Sequence, residues 1–194
     1  MTEREKMLAG MIYDANYDEE LCKDRLRCKD LCHRFNQLMP SDEQGQQEIL
    51  HQLLGSMGER CCIVAPFYCD YGWNIHMGSD VFFNHGCVIL DGGKVTFGDH
   101  VFVAPGCGFH TAGHPLDAEQ RNAGLEYAYP ITVEDDVWIG ANVTVLPGVT
   151  IGRGSVIGAG SVVNKDIPAG VVAVGNPCRV LRPITEQDKV EYQK

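Results

Sequence analysis

"VEDDVWIGANVTVLPGVTIGRGSVIGAGSVVNKDIP" runs from residue 133 to residue 168 and divides into six hexads without a gap. The hexads open on Val133, Ile139, Val145, Ile151, Ile157 and Val163. The fifth position is Val, Ser or Ile throughout, and Gly follows the opener in three of the six. A period of six fits neither an ordinary helix nor a simple hairpin array. A short strand and a tight turn, repeated, form one side of a coil in a parallel β-helix. The opener then points inward and stacks on its equivalent one coil away. Gly and Asn suit the corners, where the backbone takes conformations that other residues avoid.

Reading backwards, the frame catches Met77, Phe83 and Ile89, and then Phe97, Val103 and Phe109 after a two-residue slip near "DGGK" (91–94). From Phe109 to Val133 is 24 residues, or four hexads. The frame would place core residues at 115, 121 and 127, where the sequence has Pro115, Arg121 and Tyr127. Residues from about 111 to 129 are therefore expected to leave the coil as a loop. Long excursions from a rigid scaffold are where binding and catalysis concentrate. This one carries His114, four residues after His110.

The first sixty residues have helical rather than hexad spacing. Met7, Leu8, Met11 and Ile12 form one apolar face. Leu21, Cys22, Leu26, Leu31, Phe35 and Leu38 form a longer one, which Pro40 stops. Ser41 reads as an N-cap with Gln44 as its box partner, followed by Ile49, Leu50, Leu53 and Leu54. Two units result: a helical segment over 1–60 and a β-helix domain over 61–194 ending in a tail.

Composition narrows the function. The chain has 194 residues, 44% hydrophobic, so it can bury a core. A net charge of −10 argues against nucleic acid as a partner. It leaves room for a small anionic ligand held by local cations. The start, "MTEREKMLAG", lacks the apolar core of a signal peptide. No run of ~18 apolar residues exists to span a membrane. A cytoplasmic location is expected. Nine cysteines, an odd number, then read as free thiols. "CKDLCH" (28–33) lacks a paired metal hook and reads as helical surface or core rather than a zinc site.

The hexads, "NIHMGSDVFFNHGCVILD" (74–91), "HTAGHPLDAEQRNAG" (110–124), "EKMLAGMIYDAN" (5–16) and "GNPCRVLRPI" (175–184) together resemble the maltose/galactoside O-acetyltransferase family. The likeness covers nearly the whole chain. It implies a mainly β fold, a left-handed parallel β-helix with a small helical N-terminal segment. It also implies acetyl-CoA as donor, a sugar-like hydroxyl as acceptor, and a homotrimer with sites between subunits. That chemistry requires no metal.

The family's catalytic base matches His114 in "TAGHP". A neutral imidazole, with a pKa near ~6.5, suits a base that takes a hydroxyl proton during attack on a thioester. A solvated loop histidine is the plain alternative. His110, at the end of a hexad, reads as structural. On the acceptor side the resemblance implies Asn84, Asp91, Asp70, Asp14 and Arg25. The chain departs from the galactoside pattern in two places: Gly92 follows Asp91 where a second acid is expected, and Asp70 replaces a serine. For CoA the implied residues are Trp138, Ala141, Ala159, Asn164, Lys165, Arg179 and Arg182. The last three cations suit phosphate. Trp138 neighbours an inward opener and so is expected to face outward.

Two other readings stay open. A xenobiotic or antibiotic O-acetyltransferase would share donor and base. A zinc lyase similar to gamma-class carbonic anhydrases would need three converging histidines, with His76, His85 and His100 as candidates.

Overall fold

The structure is a computed structural model and describes residues 1–192. The hexads build a three-faced parallel β-helix. The first face stacks Ser56–Met57, Ile75–Met77, Val95–Phe97, Ile131–Val133 and Thr150–Ile151. The second stacks Cys62–Ile63, Phe82–Phe83, Phe102–Val103, Trp138–Ile139, Val156–Ile157 and Val171–Val174, closed by antiparallel Arg179–Pro183. The third stacks Phe67–Cys69, Cys87–Leu90, Gly108–His110, Thr144–Val145 and Val162–Val163. The chain visits the faces in that order, coil after coil.

All twelve openers, from Met77 to Val163, are buried. So are the fifth positions Val137, Val143, Val149, Ser155, Ser161 and Ile167. Each coil thus puts an apolar or small side chain inside and turns its neighbours out, the period-two rule applied to very short strands. Pairing is in register, Phe83 beside Val103 and Ile139 beside Ile157. Phe83, Phe97 and Phe109, one from each face, meet edge to face with ring centroids 4.9, 5.0 and 6.0 Å apart.

The corners are less glycine-dependent than the repeat suggests. Between the first and second faces the left-handed position is filled by Arg60, Asp80, His100 and Asp136 (φ 55°, 59°, 56° and 61°), then Gly154 and Gly170. Side chains tie this column together. Arg60 donates to Asp80 at 2.7 and 2.5 Å, and His100 Nδ1 lies 3.2 Å from Asp136. Short polar side chains tolerate this conformation best, which accounts for the two aspartates.

Three helices precede the coils: α1 (Glu3–Leu8), α2 (Glu19–Gln37) and α3 (Glu43–Leu53). Thr2 and Glu5 form a capping box that starts α1, and the helix ends at Ala9. Met11 and Ile12 therefore lie beyond the helix and are exposed, as is Leu8. Leu26 also faces solvent, so the buried face of α2 is Leu21, Cys28, Leu31, Cys32 and Phe35. Asp42, not Ser41, caps α3 by accepting from Gly45 N–H, and Gln44 bonds Glu48 instead of reaching back. The buried faces of α2 and α3 join the coil core and cover its open end. A solenoid end needs such a cap because its last coil has no neighbour.

A second, smaller core gathers Met7, Tyr13, Ala15, Leu21, Tyr71 and Ala128, with Trp73 packed against it. It sits where the third face turns into the first. Successive openers across that corner are Cys69 to Met77, Ile89 to Phe97 and Phe109 to Val133, spacings of 8, 8 and 24, against 6 from Val145 to Ile151. The slip at 91–94 and the excursion are insertions at one corner of consecutive coils. The excursion is itself ordered. Thr111 is fully buried, and Ala112–Gly113, α4 (Ala118–Asn122, capped by Asp117) and Leu125–Ala128 follow. Leu125–Ala128 pairs antiparallel with both Ala112–Gly113 and Tyr13–Asp14, so the N-terminal segment is sewn onto the excursion.

Candidate active site

The antiparallel ribbon fixes His114. Ala112 pairs with Ala128 and Gly113 with Tyr127, which brings the next residue, His114, opposite Glu126. His114 Nδ1 lies 3.1 Å from the carbonyl oxygen of Leu125, which can only accept. Nδ1 is therefore a donor, and in the neutral ring the lone pair lies on Nε2. Nε2 stands 3.6 Å from Glu126 Oε1. Glu126 Oε2 accepts from Tyr13 Oη at 2.9 Å. Glu126 orients this site, and hexad counting gives it no mark because it lies where the frame has failed.

Below this ribbon is a cavity of about 220 Å³ whose lining includes Tyr13, Arg25, Asp70, Tyr71, Gly92 and Glu126. Arg25 donates to Tyr71 Oη at 2.6 Å and to the Ala15 carbonyl at 2.5 Å. It thereby clamps α2 to the corner. Burial, helped by the nearby Glu126 charge, raises the Asp70 carboxyl above its ordinary range against the pull of Arg25 and Lys29. Burial likewise raises both tyrosine hydroxyls, which stay protonated donors. The cavity thus offers hydroxyl, carboxyl and guanidinium groups in a small space, a surface matched to a polyhydroxylated molecule.

Asp91 is fully buried, so it does not face the cavity. Its Oδ1 accepts from the backbone N–H groups of Asp70 (3.0 Å) and Tyr71 (2.8 Å), and Oδ2 has no partner. Burial pushes its pKa up to about 7, with the Asp70 charge adding to the effect. Asp91 is a brace for two cavity residues. Asp14 is also outside the cavity lining, where its carboxylate caps the turn at Asn16 and Tyr17. Gly92 lies against Tyr13, and a Cβ there would come within 3.1 Å of the hydroxyl. A second acid after Asp91 would crowd that hydroxyl.

The remaining candidates lie elsewhere. Asn84 precedes the third-face strand Cys87–Leu90, and its side-chain oxygen accepts from His85 N–H. Ala141 and Ala159 precede the strands at 144 and 162, and the Ala141 carbonyl accepts from Gly160 N–H. These three share the corner between the second and third faces, whereas His114 and Asp70 share the corner at the other end of the same strands. Trp138 faces outward, 55% exposed, paired with Phe102 at 54%. Arg179 donates to Asn164 at 3.2 Å near exposed Lys165. Arg182 is held by both oxygens of Asp188 at 2.8 and 2.7 Å, so it does not join that basic group.

The other histidines do not converge within the chain. His76 bonds Ser56, His85 contacts the Ala65 carbonyl, and His100 sits between Asp80 and Asp136. Among the described residues, only cysteines gather as a potential metal-ligand group. His110 is half-buried, its Nδ1 has no partner, and burial lowers its pKa. A larger cavity of about 500 Å³, between Leu38, Gln47, Cys62 and His85, contains none of the acceptor or CoA candidates.

Residues 6–58 match the family described as the maltose acetyltransferase hexapeptide capping motif, and residues 130–165 match the bacterial transferase hexapeptide family of six repeats. A putative acetyltransferase of Saccharomyces cerevisiae is 54% identical over 98% of both chains. The crystal structure of a maltose O-acetyltransferase from Clostridium difficile superposes with a TM-score of 0.93, at 50% identity over 96% of this chain and 99% of that one. A galactoside acetyltransferase in complex with coenzyme A gives 0.94, at 42% identity over 100% and 96%. With both ends of the fold and nearly its full length matched, this chain belongs to the hexapeptide-repeat acetyltransferases of the maltose and galactoside O-acetyltransferase type.

Proposed function

We propose that this chain moves an acetyl group from acetyl-CoA to a hydroxyl of a small sugar-like acceptor, with His114 as general base. The observation that carries this reading is the Nδ1–Leu125 carbonyl contact, which leaves the Nε2 lone pair of His114 available beside the cavity. In direct transfer, Nε2 takes the acceptor proton as the acceptor oxygen forms its bond to the thioester carbonyl carbon. The imidazolium so formed stands beside Glu126, whose carboxylate favours it. The carbon–sulfur bond then breaks, and His114 returns the proton to the departing sulfur. No covalent intermediate on the protein is needed.

The acceptor wall is assigned to Arg25, Asp70, Tyr13 and Tyr71, so the helical segment 1–60 contributes half of it. A cavity of about 220 Å³ suits a monosaccharide-sized group rather than a long chain.

The donor half requires a second copy. The CoA candidates Ala141 and Ala159 lie at the opposite end of the third-face strands from His114, with the acceptor-side candidate Asn84 at the same corner, and outward Trp138 stands on the second-face strand that leads into it. Three to four residues separate those ends, roughly 10 Å. A neighbour in a closed ring of three brings one copy's donor corner to another's His114. The exposed Phe102–Trp138 pair gives that contact apolar surface. Lys165 and Arg179 then remain to meet the CoA phosphates.

Steady-state kinetics with acetyl-CoA and a panel of maltose, glucose and galactosides, wild type against His114→Ala, tests the reading. Turnover retained in the variant would sink the role of His114. A monomer by sedimentation would sink the shared site.

A further inference from the structure

Cys28 and Cys32 stand one turn apart on the buried face of α2 and meet Cys69, the last residue of the first third-face strand. The Cys28 and Cys69 sulfurs are 3.5 Å apart, those of Cys32 and Cys69 are 3.8 Å apart, and all three lie within 4.8 Å of one another. They are 1%, 2% and 6% exposed. A buried thiol ordinarily packs as a small apolar group. Three converging sulfurs are instead the geometry of chelation. Metal–sulfur bonds of about 2.3 Å set neighbouring sulfurs about 3.8 Å apart in a tetrahedral arrangement.

Donor count and charge select the ion. Among the described residues no further His, Cys or carboxylate joins the group, whereas structural zinc takes four donors. Among the described residues no cation hydrogen-bonds to these sulfurs. Three thiolates around a monovalent or divalent ion would leave net negative charge in this buried place, which is costly. Around a trivalent ion the charge is zero.

We propose that Cys28, Cys32 and Cys69 form a three-sulfur site for a trivalent thiophilic ion of the arsenite class. Arsenous acid binds by exchange: three As–O bonds break, three As–S bonds form, and each thiol proton leaves with a hydroxide as water. Nothing is oxidised or reduced. The sulfurs are covered, so entry requires local opening of α2, and uptake is slow. Asp70 and Tyr71 follow Cys69, and Arg25 lies one turn before Cys28. A bound ion therefore ties α2 to the strand beneath the acceptor cavity. The proposal is independent of the transfer reaction.

The experiment incubates the full-length protein with sodium arsenite, removes excess, and reads retained arsenic by native mass spectrometry and its ligand shell by X-ray absorption. One arsenic per chain with three sulfur neighbours is expected. Cys28→Ser, Cys32→Ser and Cys69→Ser should each weaken retention by at least about tenfold, while Cys62→Ser and Cys107→Ser should not. The wild-type shell decides the matter even where a serine variant fails to fold. Fewer than three sulfurs, no retention after prolonged incubation in mild urea, or stoichiometric zinc in place of arsenic would overturn the proposal.

Discussion

His114 Nε2 stands 3.6 Å from Glu126 Oε1, and the other oxygen of that carboxylate takes the Tyr13 hydroxyl hydrogen bond at 2.9 Å. Three distant segments thus converge on one ring: the N-terminal strand, the start of the excursion and its return. Substituting His114 by Ala removes the proposed general base. The expected result is a fall in kcat of about 10²- to 10⁴-fold, with the KM for acetyl-CoA little changed. Initial rates at saturating acceptor measure it.

Glu126→Gln separates charge from shape. The amide oxygen can still accept from Tyr13, but no carboxylate faces the ring as it becomes positive. A kcat lowered by about tenfold is expected, equivalent to about 1.4 kcal/mol of transition-state stabilisation. Tyr13→Phe should have a smaller effect. An unchanged kcat in Glu126→Gln would reduce Glu126 to a brace for Tyr13.

Asp91 makes stability depend on pH. Unfolded, it ionises near its ordinary value of about 4; folded, it ionises at about 7. Below the lower value both states hold the proton and pH has no effect. Between the two, the unfolded chain releases its proton and the folded one keeps it, so stability falls as pH rises. The full penalty, up to about 4 kcal/mol, is present above the upper value. Urea unfolding at pH 5 and pH 8 should show wild type losing more stability than Asp91→Asn. Equal losses would contradict a buried, proton-holding Asp91.

The repeat was readable because each coil uses few residue types at fixed spacing, and inward stacking requires them. The openers from Met77 to Val163 are all inside for that reason. The slip at 91–94 was visible as a break in count, but not as part of a pocket. That follows only when insertions after Cys69, Ile89 and Phe109 stack at one corner. Glu126 left no trace in the frame, because its role depends on a strand pairing between residues far apart in sequence. Ser41 and Asp42 are both good caps, and local sequence could not choose between them. The separation of Asn84 from His114 required three dimensions. Asn84 sits at the corner between the second and third faces of one coil and His114 beyond the third face of the next, so the two face different directions.

Phe97 tests how the coils hold together. It is 1% exposed and lies between Phe83 and Phe109, at 4.9 and 5.0 Å, within the layer that launches the excursion. Each of the three faces contributes one ring, and Phe97 contacts both of the others. Phe97→Ala should therefore lower the unfolding free energy by about 3–5 kcal/mol. At ~2–4 °C per kcal/mol for a chain of this size, Tm should fall by roughly 6–20 °C. Phe97→Leu keeps much of the volume but loses the edge-to-face contacts, and should fall between wild type and Ala. In a solenoid each coil touches only its neighbours, so the loss stays within the layer. The same layer holds Thr111, whose hydroxyl fixes Gly93 N–H and the Leu90 carbonyl at the foot of the excursion. Phe97→Ala should thus also speed amide exchange at Gly93 more than at Gly152, three coils along the chain. Loss below about 1 kcal/mol, or uniform exchange at both sites, would mean that the layer collapses around the missing ring.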